Sequence, residues 1–119
     1  MFQRPSSREA HDVVVLMDGS GSVGSCGFEK AKKALRYLLA MKNIYVDLKY
    51  SAVTFSDSAT VNFNFLPEYF AASEMNRITY PGGGTDTHAA LVKAMQLFED
   101  RTSGKFSKRM RLKKGKNTK

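Results

Sequence analysis

The 119 residues predict an α/β fold, an open sheet flanked by helices, and three observations carry that expectation. A short run rich in β-branched residues, Asp12-Val13-Val14-Val15-Leu16-Met17, has the composition of a buried strand and leads into a Gly/Ser loop. Apolar residues then recur at three- and four-residue spacing from Phe28 to Leu39, and again from Ala90 to Phe98, as in amphipathic helices. Between the two helical patterns lie two stretches of alternating apolar and polar residues, the signature of strands. The order is strand, loop, helix, hairpin, short helix, glycine loop, helix. Sheets of this kind take ligands outside the carboxyl ends of their strands, so the two polar loops are where function is expected.

Residues 1–11 read as a polar lead-in, and the first strand spans about 12–17. The loop that follows, Asp18-Gly19-Ser20-Gly21-Ser22, alternates oxygen-bearing side chains with glycines, which let the backbone turn tightly and aim three oxygens at one point. Three hard oxygen donors, one of them charged, suit a divalent cation such as Mg²⁺. The same residue types also make ordinary turns.

In the first helix, running to about residue 42, Phe28, Ala31, Leu35, Leu38 and Leu39 supply the apolar face. Glu29, Lys30, Lys32, Lys33 and Arg36 fill the other face, which is expected to be solvated. Residues 45–55 form the second strand, with Val46, Leu48, Tyr50 and Ala52 alternating before Val53 and Phe55. Ser56-Asp57-Ser58-Ala59 is turn-like, and Val61, Phe63 and Phe65 then alternate with Asn62 and Asn64. Two strands this close imply an antiparallel hairpin. Pro67 suits the first turn of a short helix to about residue 78. The stretch Pro81-Gly82-Gly83-Gly84-Thr85-Asp86-Thr87-His88 is a glycine-rich loop opening the last helix, whose apolar face runs through Ala90, Leu91, Ala94, Leu97 and Phe98 to about residue 100. Thr85, Asp86 or Thr87 can serve as its N-cap.

Length allows one domain at most, and 42% hydrophobic residues allow a core. No apolar run approaches membrane-spanning length. Residues 1–8 lack the apolar segment of a secretory signal, so the chain is expected to be intracellular or a piece of something longer. Cys26 is the single cysteine, which excludes an internal disulfide and leaves the redox compartment open. The net charge of +8 is unevenly held. Of nineteen basic residues, nine lie from Arg101 onward, where there are no acids; the remaining ten face all eleven acids in residues 1–100. The body is therefore near neutral, and residues 101–119 read as a basic, disordered tail able to bind polyanions.

The pattern Val-Val-Val-Leu-Met-Asp-Gly-Ser-Gly-Ser-Val (residues 13–23), the Phe28 near the start of the next helix and the later Gly-Gly-Gly-Thr-Asp-Thr (residues 82–87) together resemble the von Willebrand factor type A domain. Integrin I domains and the matrix A domains of collagens and matrilins belong to that family. The resemblance covers about residues 12–100 and implies a Rossmann-like open sheet flanked by helices. It also implies an adhesion module rather than an enzyme, extracellular or secreted as part of a longer protein. Carried over by position, Asp18, Ser20, Ser22 and Thr85 resemble four of the five residues of the family's metal-ion-dependent adhesion site. Mg²⁺, with Mn²⁺ or Ca²⁺ as substitutes, would there bridge to an Asp or Glu of a matrix or cell-surface protein ligand. The fifth residue, an Asp in an Asp-Gly pair closing a further apolar strand, has no counterpart after Asp100. The resemblance is thus to the amino-terminal half, truncated after the third major helix. A fragment whose basic tail alone binds polyanions is the alternative.

Two other classes are considered. Gly19-Ser20-Gly21-Ser22-Val23-Gly24 matches the G-x-G-x-x-G dinucleotide fingerprint of oxidoreductases, with Asp47 in reach of the ribose by sequence count. Against it, Asp18 would face the pyrophosphate, and the second strand is expected to enter a hairpin rather than a parallel crossover. A serine hydrolase would need His11 or His88 as base, and residues 20–24 lack the first glycine of G-x-S-x-G.

Overall fold

A computed structural model of the chain describes residues 9–41 and 46–103. Three strands and three helices follow in the order β1 (Glu9–Asp18), α1 (Gly24–Ala40), β2 (Val46–Phe55), β3 (Ala59–Pro67), α2 (Glu68–Met75) and α3 (Thr87–Ser103). The α/β architecture is the one the sequence predicts. β1 and β2 are parallel, in register from Glu9↔Val46 to Asp18↔Phe55. β2 and β3 form the expected antiparallel hairpin. The sheet order is β1-β2-β3, so β1 is its outer strand among the described residues.

β1 runs three residues earlier than the apolar pattern suggests, because Glu9, Ala10 and His11 gain ladder partners on β2. Pairing, not side-chain hydropathy, sets that boundary. The β3 register slips on either side of Ala52. Within this irregular stretch Phe65 adopts φ 41°, unusual for a residue with a side chain. Its N–H donates to the buried Ser51 hydroxyl (2.7 Å).

The two faces of the sheet are covered differently. Beneath α1 and α2, Phe28, Leu39, Ala71 and Met75 pack with Met17, Tyr50, Ala52 and Phe63 of the strands. On the opposite face α3 contributes Leu97 to a smaller cluster with Val53 and Phe65. Arg101, near the end of α3, forms a two-pronged pair with Asp12 of β1 (2.9 and 3.2 Å) and lies 4.8 Å from the centre of the Phe65 ring.

The expected faces of α1 need correction. Ala31 and Leu38 are exposed, and Lys32, placed by sequence on the solvated face, is buried. Lys32 lies against the core with its ammonium donating to the Ile78 carbonyl (2.5 Å), with Glu29 at 3.5 Å. A long aliphatic stem with a satisfied head group can replace an apolar residue, so the wheel is rotated by one position. Residues 101–103, assigned by sequence to the disordered basic tail, instead continue α3, where Arg101 is held by Asp12. The lead-in before residue 9 and the rest of the tail from residue 104 lie outside the described residues, as does Tyr45.

Candidate metal centre

The first loop leaves β1 at Asp18, opposite Phe55 of β2. The Gly19 N–H donates to the Phe55 carbonyl (2.7 Å), carrying the sheet ladder one residue into the loop. Gly19 cannot be larger, because a Cβ there would lie 2.6 Å from Cδ of Pro81. The chain then folds back on its own carboxylate, the Ser20 N–H donating to Asp18 Oδ1 at 2.9 Å. Ser20 is 1% exposed, and its carbonyl accepts from the Tyr80 hydroxyl (2.9 Å). The Tyr80 ring in turn packs on Phe28 of α1, with centroids 5.5 Å apart. These contacts bring the Ser20 and Ser22 hydroxyls to 3.1 Å from each other. The inner side of the loop is fixed by the core, while Ser22 faces outward.

The second loop is docked on the first through its backbone. The Gly21 N–H donates to the Gly83 carbonyl (2.7 Å), and the Gly82 N–H to the Gly19 carbonyl (2.9 Å). Gly82 and Gly83 have φ 71° and 98°, where glycine alone is unstrained. A third segment, between β2 and β3, holds the far side of this loop. Asp57 Oδ1 accepts the Gly84 N–H (2.8 Å), and the Ser56 carbonyl accepts the Asp86 N–H (2.7 Å). Of the three candidate caps for α3, Asp86 fills the role, its Oδ1 accepting the Ala89 N–H at 2.9 Å. Thr85 is exposed between two residues whose backbones are both held.

Asp18, Ser20 and Ser22 thus share one loop, and the Thr85 loop is bonded directly to it. Other sequence candidates are placed elsewhere. Asp47 pairs with Ala10 at the start of the strands, eight positions below the Asp18↔Phe55 pair, or about 26 Å at strand spacing. It is ion-paired with Lys49 (3.2 Å). That removes the ribose carboxylate the dinucleotide reading needs. His11 is likewise at the lower end of β1, opposite Leu48, and His88 is exposed in the first turn of α3. Cys26 is exposed in the first turn of α1. Sequence reasoning missed Asp57 and Tyr80, the two side chains that tie the loops together. Asp57 sits in a stretch that reads as an ordinary turn, and its glycine partners 26 and 27 positions on are the only trace of its role.

The donor set can be tested against a cation. Among the described residues, no group of three or more His, Cys, Asp or Glu could hold a metal. A cation at these two loops would therefore draw mainly on hydroxyl oxygens, with Asp18 the one carboxylate of the ligand set expected from sequence. Bonds of about 2.0–2.1 Å to adjacent corners of an octahedron put ligand oxygens roughly 2.8–3.0 Å apart. The Ser20 and Ser22 hydroxyls, hydrogen-bonded at 3.1 Å, are close to that edge, so this pair of oxygens is compatible with a small divalent ion.

A family model for the von Willebrand factor type A domain matches residues 12–114. The collagen alpha-4(VI) chain of Mus musculus is 31% identical over 99 residues, which is 79% of this chain and 4% of that protein. The collagen alpha-1(VI) chain of Homo sapiens is 29% identical over 113 residues, 85% of this chain and 11% of that one. The chain therefore spans only a small part of the relatives it matches. Among solved structures, proximal thread matrix protein 1 from the mussel byssus, with a zinc-occupied MIDAS motif, superimposes with a TM-score of 0.61 at 18% identity, over 75% of this chain and 24% of that one. An uncharacterized membrane spanning protein from Vibrio fischeri gives a TM-score of 0.67 at 17% identity, over 79% and 52% of the two chains. At these identities the likeness is one of fold. No helix among the described residues is long and apolar enough to cross a membrane.

Proposed function

The chain belongs to the von Willebrand factor type A domain family, and on that premise we propose that it is a metal-dependent protein-binding module. Asp18, Ser20, Ser22 and Thr85 hold a divalent cation, which engages an Asp or Glu of a protein ligand. The observation that carries this reading is the direct bonding of the two loops. Gly21, between the two serines, donates to Gly83, two residues before Thr85 (2.7 Å). That brings three hydroxyl-bearing residues and one carboxylate to the carboxyl end of the outer described strand.

Each residue has a distinct part. Asp18 supplies the negative charge, and its Oδ1 is oriented by the Ser20 N–H. Ser20 and Ser22 offer neutral oxygens at a fixed separation. Thr85 offers a fourth oxygen from the opposite loop. When bound, the cation supplies a positive charge that one carboxylate neutralises only in part, and this is what attracts an acidic ligand. The ion is Mg²⁺ in this reading; Mn²⁺ or Ca²⁺ would serve, and the zinc-occupied MIDAS motif of the mussel protein adds Zn²⁺ to the ions worth testing. Collagen VI relatives favour an extracellular setting and a matrix or cell-surface partner. The module binds and does not catalyse.

Calorimetric titration of the full chain with Mg²⁺, Mn²⁺ and Zn²⁺ tests the reading. The wild type is expected to bind and to melt at higher temperature with cation present, the stabilisation being about 2.7 kcal/mol at a hundredfold excess over Kd. Asp18→Ala is expected to weaken binding by more than about hundredfold, beyond the effect of losing an outer-shell partner. No binding by the wild type, or equal binding by Asp18→Ala, would sink the proposal.

A further inference from the structure

We propose that Asp57, in the turn between β2 and β3, is the positioning residue for the Thr85 side of the metal centre; the inference rests on the cation-binding reading above. Asp57 is exposed and lies on neither of the loops that carry the ligand set. Its carboxylate nevertheless lies flat against the backbone of the glycine loop. Oδ1 accepts the Gly84 N–H at 2.8 Å. A Cβ built on Gly83 would stand 2.7 Å from Oδ2, and one on Gly84 would stand 2.6 Å from Oδ1. No side chain on either glycine can coexist with this placement.

The turn that carries Asp57 is itself fixed. The Ser56 N–H donates to the Ser58 carbonyl (2.9 Å), and the Ser56 carbonyl accepts the Asp86 N–H (2.7 Å). One short turn therefore holds both sequence neighbours of Thr85, Gly84 through a side chain and Asp86 through the backbone. A hydrogen bond to an ionised acceptor is about twice as strong as a neutral one. The Asp57 bond is the side-chain member of the set, so it can be removed without altering the backbone. It also explains a glycine that conformation does not. Gly82 and Gly83 are in the positive-φ region but Gly84 is not, so close approach to Asp57 is what restricts Gly84.

The test uses the full chain with Mg²⁺ and Mn²⁺ as probes, and hydrogen exchange without metal. Asp57→Ala is expected to weaken cation binding about 10–100-fold, the usual effect of removing an outer-shell partner. It should speed amide exchange over residues 82–86 while the strands keep their protection. Asp57→Asn keeps an acceptor oxygen and should recover most of the affinity. Gly84→Ala should weaken binding in the wild type and cost nothing further in Asp57→Ala, because the clashing carboxylate is gone. If the wild type binds no cation, the metal reading fails, and exchange still decides whether Asp57 holds the loop. If the wild type binds and Asp57→Ala binds equally well, the inference is overturned whatever the exchange shows. Loss of strand protection throughout Asp57→Ala would overturn it too, since Asp57 would then support the fold and not the site.

Discussion

The two loops of the candidate metal centre run into helices on opposite faces of the sheet, and the two faces are built differently. The Asp18–Ser22 side runs into α1, on the face where nine buried residues form one cluster. The Thr85 side runs into α3, on the face where three do. Much of α3's apolar surface is unburied, with Leu91 51%, Met95 65% and Phe98 41% exposed. The first half is held by packing: Ser20 is in the core, braced by Tyr80 on Phe28. The second half is held by hydrogen bonds from its neighbours, Gly19, Gly21, Ser56 and Asp57. A site can take its rigidity from a core on one side and from directional bonds on the other. The two sides should then respond to different mutations.

The largest expected effect tests the packing contrast. Phe28→Ala should destabilise the chain by about 3–5 kcal/mol, as for a fully buried aromatic. Leu97→Ala, in the smaller cluster, should fall near the low end of the range for its type, about 2 kcal/mol. Chemical denaturation of both variants measures the difference. A cost for Leu97→Ala equal to that of Phe28→Ala would end the contrast between the faces.

A smaller effect separates the loops. Gly19→Ala puts a methyl 2.6 Å from the Pro81 ring and 3.2 Å from Thr54, overpacking that should cost about 1–3 kcal/mol. Gly82→Ala meets nothing closer than 3.7 Å, so its penalty is the left-handed backbone, about 1–2 kcal/mol. Thermal melts should rank Gly19→Ala as the more damaging. The reverse order would mean that conformation, not contact, limits the first loop.

The difference between packing and bonding also governs what the sequence reveals. Four of the six elements are legible from an apolar period, β1 from its continuous β-branched run and α2 only from Pro67 at its start, and the Asp-x-Ser-x-Ser and Gly-Gly-Gly-Thr patterns locate both loops. Burial satisfied through one polar contact is not legible. Lys32 reads as solvated because nothing in its spacing announces the Ile78 carbonyl that accepts its ammonium. Phe65 reads as a regular strand residue, and its positive φ comes with an N–H bonded to a hydroxyl fourteen positions away. Asp57 reads as a turn residue, since its partner Gly84 is 27 positions distant. Position by position, sequence period reports the packed side of the site and is silent on the bonded one.

Arg101 offers a modest test of how far bonding substitutes for packing on the α3 face. Its guanidinium joins α3 to Asp12 of β1 and to the Phe65 ring of β3. The pair is partly solvated, with the Arg101 side chain 38% exposed, so Arg101→Ala should cost about 1 kcal/mol or less from the ion pair. A further ~0.5–1 kcal/mol comes from the ring. Arg101→Lys should recover only part of this, because an ammonium cannot make the two-pronged contact. Full recovery would reduce the arrangement to simple charge attraction, and high salt should then erase it.

The smallest expected effect lies on the well-packed face and appears only in alkali. Tyr50 is 6% exposed beneath α1 and α2, and its pKa is raised above the ordinary 10.0, first by burial and second by the Glu68 carboxylate. The folded chain therefore holds the phenolic proton more tightly than the unfolded chain does. That linkage contributes stability in full below the unfolded value, and the contribution is lost as pH rises through the folded one. Melting temperature should therefore fall more steeply for the wild type than for Tyr50→Phe from about pH 9 to 11. Tyr37→Phe, at a position 71% exposed, is the control and should follow the wild-type slope. Matching slopes for wild type and Tyr50→Phe would mean that water reaches the phenol before the chain unfolds. The packed face would then be open in alkali, and the contrast with the α3 face would hold only at neutral pH.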